Sequence, residues 1–201
     1  MRHKLTEKLI DKYEEFSKVF DDELLKAKLH SDVLQLYSEI DEPNDEEHYT
    51  IGLLHYFDYN EKTSKIDLNV KVEKAIQYFQ KSLEQDSNYY MSNYYLGHCF
   101  QDLEDYEKAI QQYLKIDQKK LKEEFPLWRY VLLFELIGFC YWESGKKDIG
   151  IKYFEKTCSE YVELKDYYDL FPIGDLIERC LGDKHKLVLE MKKYHEIKSN
   201  E

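Results

Sequence analysis

Proline and glycine are scarce in this sequence, three and seven among 201 residues, which excludes collagen-like, proline-rich and glycine–serine linker architectures. Cysteine is scarce too. Cys99, Cys140, Cys158 and Cys180 stand 41, 18 and 22 residues apart with no CxxC pair, so neither a zinc framework nor a disulfide-stapled fold is indicated. Long apolar runs are missing: the greasiest stretch, Tyr130 to Trp142, contains Glu135 and is too short to span a bilayer. The opening stretch, MRHKLTEKLIDKYEEF, lacks the uncharged apolar run of a signal peptide. The expectation is a soluble, cytoplasmic protein with reduced thiols and no membrane partner. Glycine-rich phosphate loops, GxSxG elbows and HExxH pairs are absent as well. A protein without enzymatic activity, cofactor or metal is therefore expected.

Positive charge is also in short supply. The formal net charge is −12, and residues 1–60 hold seven Lys/Arg against fifteen Asp/Glu, or −8, leaving −4 for the rest. A negative field repels phosphate backbones, so nucleic acid is not expected as a partner. A basic protein or peptide fits the sign of the charge.

What is present favours helices. Lys and Glu abound, and nineteen tyrosines with ten phenylalanines supply apolar surface to bury. Leu5, Leu9, Tyr13, Phe16 and Phe20 recur at helical steps and predict one amphipathic helix. Asp21 and Asp22 are good starters for a second, with core positions Leu24, Leu25, Leu29, Leu34, Tyr37 and Ile40 and a potential break at Ser31-Asp32. The DEPND segment, Asp41 to Asp45, reads as a turn followed by a fresh N-cap. Near the other end, Leu176, Ile177, Cys180 and Leu181 predict a helix stopped by Gly182, and Leu187, Val188, Met191 and Tyr194 predict the last one.

Between these ends the chain repeats itself. Leu96-Gly97, Phe100, Ala109 and Tyr113 align with Ile137-Gly138, Tyr141, Gly150 and Phe154, the small residues standing twelve apart in both copies. A third copy reads Ile51-Gly52, His55, Ala75 and Phe79, with eleven residues inserted near Asp58 to Asn69. Only three alanines occur in the chain, and Ala75 and Ala109 share one slot. Small residues at paired slots let two helices of a hairpin cross closely while large aromatics fill the space around them.

These residues resemble the tetratricopeptide repeat, W-x2-L-G-x2-Y…A-x3-F…P, over about Asp45 to Tyr161. The Trp slot holds His48, Asn93 and Phe134, and the Pro slot is lost. Gly97 to Gly138 is 41 residues against the family's usual 34, which lengthens the connection around DQKKLKEEFP and places Pro126 in the first turn of the next helix. The resemblance implies an all-α fold: an α-α superhelix, a tetratricopeptide-like helical-hairpin solenoid with capping helices at both ends. It reads as one domain over 1–201, with N-terminal caps in 1–44, three hairpins in 45–161 and C-terminal caps in 162–201.

The same resemblance implies a concave groove lined by the first helix of each hairpin, gripping a protein or peptide partner. Carried over slot by slot, the groove residues are Tyr49 and Tyr56, then Tyr94, His98, Gln101 and Asp102, then Glu135, Phe139, Trp142 and Glu143. Aromatics mixed with carboxylates suit a segment with apolar and basic side chains. Many of these aromatics would instead be filling if the capping helices pack over them. His98 and Asp102, four apart, share a helix face, where a protonated imidazole would be favoured. Cys99 and Cys140 occupy equivalent slots and read as buried structural thiols. Two other functional readings exist. One is an inhibitor or immunity-type protein that neutralises a basic partner through its acidic surface; the other is a metal-dependent enzyme centred on His98.

Overall fold

The computed structural model describes residues 2–58, 63–124, 127–164 and 174–198, and every secondary-structure element among them is an α-helix. The chain forms two compact units, residues 1–104 and 105–201. Each is built from packed helical hairpins, as a tetratricopeptide-like all-α fold requires. The division falls between the two helices that the repeat alignment pairs as its middle copy.

Unit 1 contains α1 (Arg2–Ser17), α2 (Glu23–Ser38), α3 (Asp45–Phe57), α4 (Lys65–Gln85) and α5 (Tyr90–Asp102). Its helix starts follow from local chemistry. The Asp22 carboxylate accepts the Leu25 N–H at 2.9 Å and opens α2. Asn44 and Glu47 form a reciprocal capping box that opens α3, the Asn44 side chain taking the Glu47 N–H and the Glu47 side chain taking the Asn44 N–H. Helix α2 runs unbroken through Ser31-Asp32, because Leu29 and Val33 on either side are buried and hold that turn against the core. That core comprises Leu9, Phe16, Leu29, Val33, Ile40, Ile51 and Leu54.

Two expectations for this end need correction. Phe20 lies beyond α1 and is 82% exposed, and Leu24 and Leu25 in the first turn of α2 are 86% and 41% exposed. Helix α1 stops at Ser17, so the apolar period is cut before it reaches Phe20. The insertion after the first copy is also less of a loop than the sequence implies. Ser64 caps α4 through the Asp67 N–H at 3.1 Å, so the helix begins 75 − 65 = 10 residues before the Ala75 slot. Residues 59–62 of the insertion lie outside the described residues.

Helices α3 and α4 form the hairpin that the alignment foretells. A methyl group on Gly52 would stand 2.5 Å from the ring of Phe79, which is itself fully buried. The absence of a side chain there is what lets α3 lie against that ring.

Unit 2 contains α6 (Tyr106–Tyr113), α7 (Gln118–Glu124), α8 (Leu127–Glu143), α9 (Lys147–Leu164), α10 (Asp175–Leu181) and α11 (Lys186–Lys198). The hairpin of α8 and α9 is its centre. A methyl group on Gly150 would meet the Gly138 carbonyl oxygen at 2.8 Å and the Trp142 backbone nitrogen at 3.1 Å, so here backbone meets backbone. The lengthened connection after α6 contains a helix of its own. The Asp117 carboxylate accepts the N–H groups of Lys119 and Lys120 at 3.0 and 3.1 Å, and the fully buried Leu121 pins α7 to the core. Pro126 lies outside the described residues, as do residues 165–173. Helix α10 ends at Gly182 with φ 83°, as its sequence suggests, and packs on α8, while α11 packs on α9 through buried Leu187, Val188 and Met191.

Candidate functional site

In unit 1 the groove slots fall on α3 and α5, which pack against each other. Tyr49 and Tyr56 are seven residues apart, two helical turns, and so share a face of α3; Tyr94, His98 and Gln101 do the same on α5. The rings form a continuous aromatic surface. Tyr49 lies 5.2 Å from Tyr89 and 5.9 Å from Tyr95 between ring centroids. Tyr95 sits beneath, stacked on Phe79 and met edge-on by Tyr56 at 5.8 Å. Tyr94 meets His98 edge-on at 4.8 Å, and Tyr56 approaches His98 at 6.4 Å.

At the end of this surface the Tyr56 hydroxyl donates to Asp102 at 2.8 Å, bridging α3 and α5. Asp102 is exposed as a residue, yet desolvation by its neighbours holds its carboxyl above the ordinary carboxylate range, with the Tyr56 hydrogen bond pulling the other way. Tyr94 is buried and belongs to the core. Tyr49, Tyr56, His98 and Gln101 are half-buried. The part of this face that reaches solvent is therefore Tyr49, Tyr56, His98, Gln101 and Asp102.

In unit 2 the slots equivalent to Tyr94 and His98 are Glu135 and Phe139, and both are buried. Glu135 is buried on α8, and its carboxylate accepts the N–H groups of Gly174, Leu176 and Ile177 at 3.1, 2.8 and 3.2 Å. Gly174 is the N-cap residue of α10 and has no side chain to cap it, so Glu135 supplies the cap from another helix. Burial raises the Glu135 carboxyl above its ordinary range, while the three backbone donors work against that rise. Phe139 is buried too, with the Arg179 guanidinium of α10 5.2 Å from its ring and Tyr106 edge-on at 5.9 Å. As groove residues, Glu135 and Phe139 are thus withdrawn by α10. Trp142, with the Lys147 ammonium 4.6 Å from its ring, is half-buried, and Glu143 is exposed.

A cluster that the sequence reading did not assemble lies on α2, α3 and α4. His30 and Tyr37 are seven apart on α2, His48 and His55 seven apart on α3, and this matched spacing was the available signal. The His55 ring stacks on Tyr78 at 5.5 Å and meets His30 at 5.7 Å. The Tyr37 hydroxyl and His48 Nδ1 are 2.7 Å apart. Burial, with His30 and Lys74 beside it, lowers His55 to about 4. Burial likewise lowers His30 and His48 and pushes Tyr37 up to about 12.

Among the described residues, no three or more His, Cys, Asp or Glu side chains are placed to hold a metal ion. Cys99 and Cys140 are fully buried, and burial raises both thiols, Cys140 to about 12, so they are protonated and inert at neutral pH. Among the described residues no helix is long and apolar enough to cross a membrane.

No curated protein and no solved structure matches the chain. A family model described as the tetratricopeptide repeat does match residues 92–118, which include nearly all of α5 and the whole of α6, and so bears out the resemblance of this chain to that family.

Proposed function

We propose that the protein is an interaction module that holds a peptide or protein segment against the α3–α5 face of unit 1. The observation that supports this most is the row of half-buried Tyr49, Tyr56 and His98 ending at the exposed carboxylate of Asp102. Rigid aromatic rings give contact area at little entropic cost, and a carboxylate at one end selects a basic side chain. Trp142 and Glu143 offer unit 2 a smaller surface of the same character. Repeats of this kind suggest a scaffold that binds other proteins.

The experiment is affinity capture from the native host with mass spectrometry, comparing wild type with Tyr56→Ala/His98→Ala and with Trp142→Ala. The tyrosine–histidine variant should lose most of any captured partner while retaining its helical circular dichroism, with a smaller loss for Trp142→Ala. Full capture by all three proteins sinks the assignment. Tyr94 is unsuitable for this test because it is buried.

A second reading is carried by charge. The −8 over residues 1–60 favours a basic partner that the acidic surface would neutralise. Affinity falling steeply with salt supports it, and indifference to ionic strength counts against it.

A further inference from the structure

We propose that the turn joining α1 to α2 is a docking site for a basic amphipathic helix of a partner protein. The proposal rests on the acidic-surface reading for the sign of the partner's charge and gives that reading a location. It uses none of the α3–α5 site residues.

The turn presents large apolar side chains to solvent where the sequence pattern calls for core. Phe20 is 82% exposed and Leu24 86%. Phe20 also lines a mostly apolar cleft of about 320 Å³, together with Tyr13, Phe16, Val19, Lys26 and Phe57. Scattered exposed leucines need no explanation, but exposed apolar residues grouped at a cleft mark an interaction surface.

The charges around the cleft choose its occupant. Asp21, Asp22 and Glu23, all exposed, stand between Phe20 and Leu24. The nearby cations are already engaged. Lys12 pairs with Glu15 at 2.6 Å and Lys18 with Glu14 at 3.5 Å, and Lys26 lies over the Phe16 ring and donates to the Phe57 carbonyl. A second copy of this chain would set the same carboxylates against themselves, a like-charge juxtaposition that disfavours self-pairing. A helix satisfies its own backbone and can lay apolar residues into the cleft while flanking Lys or Arg meet the acidic rim.

The test uses a fluorescein-labelled Leu/Lys amphipathic helical peptide of about five turns, read by fluorescence anisotropy against the full chain. Its controls are a Leu/Glu counterpart and a Leu/Lys peptide of shuffled order. Binding of the amphipathic Leu/Lys peptide should weaken about tenfold or more in Phe20→Ala/Leu24→Ala. In Asp21→Asn/Glu23→Gln it should weaken about threefold and lose much of its salt dependence. Both residues in the first variant are exposed, so thermal unfolding should be unchanged. Salt-dependent binding that ignores Phe20→Ala/Leu24→Ala overturns this location while leaving the acidic-surface reading standing. No preference for the basic peptide over the Leu/Glu one overturns both. Equal binding of the shuffled peptide, or a dimer in sedimentation that the double variant abolishes, overturns the helical partner.

Discussion

Helices α5 and α8 hold the same place in two copies of one repeat, offset by 41 residues, and of their four equivalent outward slots one meets a different fate. On α5 the slot of His98 stays half-buried, one turn before the Asp102 carboxylate that takes the Tyr56 hydroxyl of α3. On α8 its counterpart Phe139 is sealed under α10, whose Arg179 covers the ring; Tyr94 and Glu135 are both buried, the tyrosine among rings and the carboxylate on the N-terminus of α10. The lesson is that a groove slot becomes a binding surface only if nothing later in the chain claims it. A charged side chain in such a slot is no guarantee of exposure, because helix N–H groups are as good a partner for it as a ligand.

The strongest way to break this contrast is Glu135→Ala. It strands three backbone donors of α10, and a loss of about 4 kcal/mol in urea unfolding is expected. Hydrogen exchange should rise first in α10. A loss below about 1 kcal/mol would show that the cap is dispensable.

Next in size is a difference in acid sensitivity. His55 is buried in unit 1, and among the described residues unit 2 has no buried histidine. Its folded value of about 4 lies below the ordinary 6.5, so the unfolded chain takes up a proton first as pH falls. Stability is thus fully present above about 6.5 and is lost as pH drops toward 4, by about 3 kcal/mol for this group alone. Asp58 opposes the shift, whereas His30, Lys74 and Lys71 reinforce it. Segment-resolved hydrogen exchange at pH 7 and pH 5 should show unit 1 opening before unit 2, and His55→Phe should blunt the difference. Equal opening of both units would refute the prediction.

The crossing glycines sharpen the comparison at a smaller scale. Gly150→Ala drives a methyl into backbone and should cost about 3 kcal/mol, whereas Gly52→Ala meets the Phe79 ring and should cost about 2 kcal/mol. Phe79→Leu should relieve part of the second loss and none of the first, a double-mutant cycle that equal costs and no coupling would contradict.

The smallest effect is a gain. Glu104 and Gly145 are again 41 apart, and both close a helix with positive φ, 61° and 83°. Glycine adopts that conformation freely and glutamate does not. Glu104→Gly should therefore stabilise by about 0.5–1 kcal/mol, read as a higher midpoint of thermal unfolding. The Lys65 ion pair lost with it is exposed and worth little. An unchanged or lower midpoint would count against strain at Glu104.

Much of the architecture was legible beforehand. The caps at Asp22 and Asn44, the stop at Gly182 and the glycines at 52, 138 and 150 are all local or pairwise requirements, written in residues close in sequence or at fixed repeat spacing. The helix in DQKKLKEE was missed because it is short and its single buried anchor, Leu121, carries no period. The candidate site was half legible. The slots of Tyr49, Tyr56, His98, Gln101 and Asp102 follow from the resemblance to the repeat, carried over slot by slot, but the coverage of Glu135 and Phe139 depends on where α10 packs.

The sequence alone thus determined that the chain is helical, that its helices pair through small residues, and that its N-terminal portion is acidic. Period, capping and charge are properties of neighbouring residues and need no third dimension. Only the tertiary structure decided which face stays open, which carboxylate is spent on a helix end, and that Phe20 and Leu24 emerge at the surface. Burial depends on what packs from afar, and the pattern within one helix cannot report its neighbour.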